Sequence, residues 1–263
     1  MDGAFFAFAL TVVAGLATSF GGLMVLCTKI ANKKFLAVSL SFSAGVMLYV
    51  SFAEIFLEAH EYLEEAHGNG AGYAILILSF FGGLALMALV DKFIPHDESH
   101  TDSLQSSNNN LKHVGISSAI AIAIHNFPEG FIIFMAALYD PIMGIGVAIA
   151  IIIHNIPEGI AVASPIYHGT GSKAKAFLAA TAAGLTEPLG AIVGWLLFRN
   201  IFGSLDGLYG IIFAAVAGIM VFVAIHQLLP TAQKHGKHHL VMKGLFIGMG
   251  VMAVSILLLE VFG

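Results

Sequence analysis

The sequence predicts an all-α membrane protein built from eight transmembrane helices. Of its 263 residues, 58% are hydrophobic and only 10% are charged, and the mean hydropathy is +0.91. A soluble domain of this length needs far more charge on its surface. The apolar residues also fall into eight runs of about 20 residues, the length that a helix needs to cross a bilayer. We therefore expect lipid to be the solvent for most of the chain.

The eight predicted helices form one domain over residues 1–263. Their approximate bounds are 4–27, 35–59, 72–94, 114–138, 143–165, 174–199, 208–230 and 241–262. The start of the chain carries Asp2 and no basic stretch, so we expect the first helix to be retained in the protein and not cleaved as a signal peptide. The connection 95–113 contains His96, His100 and His113 among Ser, Asn and Asp. That composition predicts a flexible, His-containing loop.

The basic residues predict the orientation, because cytoplasmic loops are enriched in Lys and Arg. Ten of the eleven Lys and Arg residues follow the odd-numbered predicted helices, and only Arg199 lies at the other side. These ten are Lys29, Lys33, Lys34, Lys92, Lys112, Lys173, Lys175, Lys234, Lys237 and Lys243. We therefore expect both termini outside the cytoplasm and a multi-pass location in the cell (inner) membrane. The net charge of −5 argues against nucleic acid as a partner.

One six-residue motif occurs twice and carries the chemistry. The fourth predicted helix contains Ile124-His125-Asn126-Phe127-Pro128-Glu129-Gly130, and the fifth contains Ile153-His154-Asn155-Ile156-Pro157-Glu158-Gly159. The two copies of His-Asn-x-Pro-Glu-Gly begin 29 positions apart. Because consecutive membrane helices run in opposite directions, the copies should face each other as an antiparallel pair, an arrangement typical of transporters with a site near the membrane midplane.

The residue types of this motif favour a metal site. Ionisable side chains in the middle of a membrane helix cost free energy and need a partner or a water-filled path. His and Glu four residues apart share one helix face. A proline in mid-helix frees a backbone carbonyl and bends the helix, which should widen a cavity there. Two such sets can hold one metal ion, or two a few ångströms apart. Imidazole and carboxylate suit zinc, iron(II), manganese, cobalt or nickel, and the alternative is a polar cluster that only joins helices.

Several other polar residues lie inside the predicted spans. Glu187 stands beside Pro188 at the centre of the sixth predicted helix, where a shared metal ion would supply its positive partner. Further residues that could line a pathway are Glu54, Met47 and Ser51 in the second predicted helix and His226 and Gln227 in the seventh. The alternative for Glu54 is an interfacial acid near Glu58, and for the pair in the seventh helix, polar residues at the membrane interface.

The sequence resembles the ZIP (Zrt-/Irt-like protein) family of metal transporters. The two motif copies carry this resemblance, together with Gly184-Leu185-Thr186-Glu187, Phe42-Ser43-Ala44-Gly45-Val46-Met47 and Ala217-Gly218-Ile219-Met220. The resemblance implies a 3+2+3 inverted-repeat bundle with a binuclear site. By motif match, its ligands are His125, Asn126, Glu129, His154, Asn155, Glu158 and Glu187. One departure is His226-Gln227, where the family has an acidic pair.

The resemblance also implies uptake into the cytoplasm of zinc first, with iron(II), cobalt, manganese and cadmium as further substrates. Rocking of one helix group against another and a narrow channel both fit the sequence. The alternatives are an intramembrane metalloenzyme and a metal sensor. The sequence contains no His-Glu-x-x-His string, which would support catalysis by a bound metal. The expected partners are divalent metal ions and membrane lipid, and we leave a homodimer open as the assembly.

Overall fold

A computed structural model describes residues 2–27, 33–93, 108–197 and 206–262. In this part of the chain, eight helices are long and apolar enough to cross a membrane. This confirms the predicted all-α class and the predicted number of spans. We number the helices α1 (Asp2–Cys27), α2 (33–67), α3 (Asn69–Asp91), α4 (Asn108–Tyr139), α5 (Pro141–Thr170), α6 (173–197), α7 (206–235) and α8 (His238–Phe262).

Three of these helices are made of shorter segments. Helix α2 consists of Lys33–Val50, Ser51–Ile55 and Phe56–His67. Helix α6 consists of Lys173–Gly184 and Thr186–Leu197, separated at Leu185. Helix α7 consists of Asp206–Phe222, Val223–Leu228 and Leu229–His235.

The helix bounds differ from the predicted ones where polar residues extend a helix beyond its apolar stretch. Helix α2 continues through the polar residues that follow its apolar run and ends only at Gly68, whose φ of 76° stops the helix. Helix α4 begins at Asn108, within the predicted loop 95–113, and residues 95–107 of that loop lie outside the described residues. Hydropathy locates the stretch that sits in lipid, whereas a helix can continue into the polar region on either side.

The helices pack as two groups. Helices α1, α4, α5 and α6 pack on one another, as do α2, α3, α7 and α8, and α2 against α5 forms the most extensive contact between the groups. Glycines permit the closest approaches within the second group. Gly45 of α2 lies against the backbone of Leu245 in α8, and Gly218 of α7 lies against the backbone of Phe80 in α3. Such contacts replace side-chain packing by backbone packing, which membrane helices use to associate.

Helices α2 and α7 each contain a π-helical segment. In α2 it is Ser51–Ile55, which includes Glu54, and in α7 it is Val223–Leu228, which includes His226 and Gln227. A π turn carries an extra residue and is common at functional positions in helices. Glu54, His226 and Gln227, which the sequence predicts to line a pathway, therefore lie on irregular turns of two long helices.

An aromatic cluster, formed by Tyr62, Tyr139, Tyr209 and Phe213, joins the two helix groups at the end of the bundle where α4 is connected to α5. The ring centroids of Tyr62 in α2 and Tyr139 in α4 are 4.8 Å apart, and those of Tyr139 and Tyr209 in α7 are 5.6 Å apart. The hydroxyl of Tyr62 also lies 3.9 Å from the sulfur of Met143 in α5. The rings therefore bridge between the groups at this end.

Candidate metal centre

The two motif copies meet at the centre of the molecule, between α4 and α5. Both helices extend from the turn at Asp140, whose carboxylate accepts hydrogen bonds from the backbone N–H groups of Ile142 and Met143 at the start of α5. Because the helices run antiparallel, His125 and His154 lie at about equal distances along the chain from this turn, and hence at similar depth. The His, Asn and Glu side chains of both copies are buried, with at most 1% of each residue exposed.

The histidines and glutamates of the two copies pair across the helix interface. Nε2 of His125 lies 3.1 Å from Oε2 of Glu158, in hydrogen-bond geometry. Nε2 of His154 lies 3.3 Å from Oε1 of Glu129, at ion-pair distance but without hydrogen-bond geometry. Each imidazole thus contacts the carboxylate of the opposite helix and not that of its own. Sequence spacing places His and Glu of one copy on one face, but only the packing of the two helices determines this cross-pairing.

Both asparagines are anchored to the helices that flank the motif pair. The side-chain amide of Asn155 donates to Oε1 of Glu187 in α6 at 2.6 Å and to the carbonyl oxygen of Ala14 in α1 at 3.0 Å. The amide of Asn126 donates to the carbonyl oxygen of Ala183 in α6 at 3.4 Å. Glu187 is fully buried in the first turn after the break in α6. The structure therefore brings all seven predicted ligands into one buried cluster.

Many polar atoms of this cluster have no hydrogen-bond partner in the protein. They include Nδ1 of both motif histidines and at least one oxygen of each of the three glutamates and of each asparagine. Buried polar atoms are normally paired, so a concentration of unpaired ligand-type atoms marks a place for a bound group. Within the described residues, no three His, Cys, Asp or Glu side chains are arranged to hold a metal ion in this conformation. Binding of a metal ion by this set would require the side chains to turn from their cross-helix contacts toward a common centre.

The predicted pathway residues of α2 lie in different surroundings. Met47 is fully buried in the hydrophobic core. The hydroxyl of Ser51 donates to the carbonyl oxygen of Met47 at 2.7 Å, so its own helix satisfies it. The hydroxyl of Ser43 lies 3.4 Å from the carbonyl oxygen of His154 and thus links α2 to the motif in α5. Glu54 is partly buried on the π turn.

A second polar cluster contains an acid that the sequence analysis did not single out. Asp91, 6% exposed at the end of α3, accepts a hydrogen bond from Nε2 of Gln227 at 2.8 Å and lies 3.0 Å from Nε2 of His226. The signal was available in the sequence, because Asp91 is an acid inside the predicted span 72–94. Its neighbour Lys92 is equally typical of a helix end, so the sequence alone does not distinguish a buried acid from an interfacial one.

The Asp91 cluster yields a stability prediction. We expect Asp91→Ala to lower the unfolding free energy by about 1–2 kcal/mol, because Gln227 and His226 lose their common acceptor. Thermal unfolding of the purified chain in detergent measures this change. The exposed Glu65→Ala serves as the control and should unfold like the natural chain. Equal unfolding temperatures for the Asp91 variant and the control would contradict a role for the cluster in holding α3 to α7.

The stretch of the chain that contains this buried site matches a known protein family. The family described as "ZIP Zinc transporter" matches residues 94–256. This stretch includes both motif copies and Glu187. The chain belongs to the ZIP zinc transporter family. Members of this family are transporters and not enzymes, which decides against the metalloenzyme alternative.

Several bacterial relatives of this ZIP family chain match over nearly its whole length. The zinc transporter ZupT of Clostridium perfringens is 48% identical over an alignment of 279 positions, which covers 98% of this chain and 97% of the relative. ZupT of Streptococcus mutans is 50% identical over 259 residues, 97% of each chain. ZupT of Lysinibacillus sphaericus is 50% identical over 270 residues, 98% of this chain and all of the relative. The likeness therefore extends to all eight helices.

Proposed function

We propose that this protein carries divalent transition-metal ions, zinc first, across the membrane into the cytoplasm. The observation that carries the proposal is the meeting of two His-Asn-x-Pro-Glu-Gly copies in a buried cluster at the centre of an eight-helix bundle. The names of the relatives support zinc as the substrate, since those proteins are described as zinc transporters. The mixture of imidazole, carboxylate and amide also suits iron(II), manganese and cobalt as further substrates, and the family resemblance adds cadmium.

The proposed site is binuclear. Its ligands are His125, Asn126, Glu129, His154, Asn155, Glu158 and Glu187. An arriving divalent ion replaces the imidazole as the partner of each carboxylate, and the released imidazole nitrogen becomes a ligand itself. Because metal-bound histidine is neutral, loading the site is coupled to the loss of any proton that the imidazole carries.

We also propose an architecture and orientation for transport. The single domain 1–263 is a 3+2+3 inverted repeat in the inner membrane, with both termini outside and the loop 95–113 in the cytoplasm. The lysine distribution supports this orientation. The equivalent glycine contacts of α2 with α8 and of α7 with α3 support the repeat. A homodimer is compatible with this arrangement.

The proposed pathway enters along α2 and leaves along α7. Glu54, Met47 and Ser51 line the outer side, and His226 and Gln227, with Asp91, line the inner side. Movement of one helix group relative to the other would open the two sides in turn. The division of the helices into two packed groups favours this mechanism over a fixed channel.

Zinc uptake into proteoliposomes tests the proposed function. The natural chain should give robust flux, and His154→Ala and Glu158→Ala should lose most of it, because each removes a ligand from the buried site. Glu65→Ala changes an exposed carboxylate at a helix end and should transport normally. Size-exclusion profiles must show that the variants are folded. A natural chain that binds zinc but gives no flux would instead indicate a metal sensor.

A further inference from the structure

Helices α1 and α6 flank the motif pair and contact each other through two glycines. A Cβ added to Gly15 in α1 would collide with the carbonyl oxygen of Gly184 in α6, and a Cβ added to Gly184 would collide with the carbonyl oxygen of Gly15. The contact is thus reciprocal, and each glycine has the other helix's glycine as its counterpart.

The same correspondence continues along both helices toward the motif. Three positions after Gly184 stands Glu187, whose backbone lies against Gly130 of the α4 motif. Three positions after Gly15 stands Thr18, whose carbonyl oxygen lies against Gly159 of the α5 motif. Thr18 therefore contacts one motif copy as Glu187 contacts the other.

A second pair of glycines extends the correspondence by another turn. Gly190, three positions after Glu187, lies against the carbonyl oxygen of Phe127 in α4. Gly21, three positions after Thr18, lies against the carbonyl oxygen of Ile156 in α5. Phe127 and Ile156 occupy the same variable position of the two motif copies.

The asparagine hydrogen bonds follow the same rule. Asn126 donates to the carbonyl oxygen of Ala183, the residue before Gly184, and Asn155 donates to that of Ala14, the residue before Gly15. The two helices differ in the side chain of the residue three positions after the glycine, which is Glu187 in α6 and Thr18 in α1. Glu187 carries a carboxylate and accepts a hydrogen bond from Asn155, whereas Thr18 carries a neutral hydroxyl.

The Thr18 hydroxyl is buried and unsatisfied. Thr18 is 0% exposed, and its Oγ1 has no hydrogen-bond partner in the protein. Oδ1 of Asn126, the motif residue that corresponds to the partner of Glu187, is also buried without a partner. Thr11 in the same helix is equally buried, but its hydroxyl donates to the carbonyl oxygen of Ala7 at 2.9 Å. Burial of a hydroxyl without a partner costs free energy, and a bound ligand would supply the partner that the Thr18 hydroxyl lacks.

We infer that Thr18 is a further residue of the metal site. It sets how tightly a cation is held beside Asn126 and Asn155, which form the asparagine end of the site. This inference rests on the proposed function. Glu187 accepts a hydrogen bond from Asn155, and by the correspondence of the two helices Thr18 takes the equivalent place relative to Asn126. One carboxylate and one hydroxyl attract a divalent cation less strongly than two carboxylates would. A weaker hold at this end favours release, which a transporter needs as much as binding.

Three substitutions at Thr18 test the inference, with zinc affinity of the full-length chain in detergent micelles as the readout. Thr18→Val removes the hydroxyl at nearly constant volume and should weaken zinc binding about tenfold, as loss of a supporting group around a metal commonly does. Thr18→Asp adds a carboxylate and should tighten binding about tenfold, while slowing uptake at saturating zinc. Thr18→Ser keeps the hydroxyl and should bind zinc like the natural chain.

Thr11→Val is the matched control, because its hydroxyl is satisfied within α1, and it should bind zinc normally. Unchanged affinity in both Thr18→Val and Thr18→Asp, with normal zinc uptake by the natural chain, overturns the role of Thr18 and leaves the proposed function intact. Equal loss in Thr18→Val and Thr18→Ser also overturns it, since packing would then be the cause. A natural chain that neither binds nor moves zinc overturns both.

Discussion

Gly130→Ala should leave little folded protein in the membrane. The added methyl group would collide with the backbone of Glu187, and backbone atoms on two packed helices cannot move aside as a flexible side chain can. Overpacking a core costs about 1–3 kcal/mol when side chains can adjust, and we expect a cost well above that range here, because the clash is with backbone. This is a large part of the stability of a typical domain. The amount of monodisperse protein after detergent extraction measures the effect.

Gly82→Ala is the control for Gly130→Ala. Gly82 lies in the middle of α3, and a Cβ added there would meet no atom within 4 Å. The control should therefore be extracted like the natural chain, and its zinc uptake should be normal. Equal yields of the two variants would show that α4 and α6 can separate without cost, and would contradict the close packing of Gly130 on Glu187.

The second large effect concerns the buried His125–Glu158 pair. His125→Ala and Glu158→Ala should each lower the unfolding free energy by about 3–5 kcal/mol, because each leaves the other partner buried without its counterpart. The double variant should be more stable than the sum of the two single effects implies, since no uncompensated partner remains. Its coupling energy should be about 2 kcal/mol, within the range found for residues in contact. Unfolding midpoints of the four proteins give this quantity.

Zinc uptake separates the stabilising role of the pair from its role in transport. All three variants should lose uptake, including the double variant whose stability partly recovers, because both residues are proposed ligands. Strictly additive stabilities would mean that the 3.1 Å contact contributes nothing to the fold. Uptake that recovers together with stability would show that the two residues are structural and that the metal ion passes elsewhere.

The sequence predicted the helix count and the central cluster because both depend on strong local signals. Apolar runs of membrane-spanning length have few alternative interpretations, and a duplicated His-Asn-x-Pro-Glu-Gly string rarely arises by chance. The cross-helix pairing of His125 with Glu158 could not be predicted, since it depends on how far α4 and α5 are rotated about their axes. The π turn that carries Glu54 has no sequence signature either, because an extra residue in one turn leaves the composition unchanged.

Two further features, at Asp91 and Thr18, depend on contacts that the sequence does not show. The contact of Asp91 with Gln227 could not be predicted, because a carboxylate next to Lys92 is also typical of the polar end of a helix and only the tertiary structure places Gln227 beside it. The unsatisfied hydroxyl of Thr18 could not be predicted either, because a single hydroxyl inside an apolar helix is usually satisfied by its own backbone, as Thr11 is. In both cases the missing information was the neighbour on another helix.

The aromatic cluster would slow the movement of one helix group relative to the other that we propose for transport. Its ring pairs Tyr62–Tyr139 and Tyr139–Tyr209 join helices of the two groups, so sliding one group along the other must separate them. Each such pair contributes about 0.5–1.5 kcal/mol beyond the area it buries. Together they would add about 1–3 kcal/mol to the activation barrier of the proposed movement, which would slow it by about 5- to 150-fold. Under the proposed mechanism, the three tyrosines would therefore slow turnover from one end of the bundle, away from the proposed metal ligands.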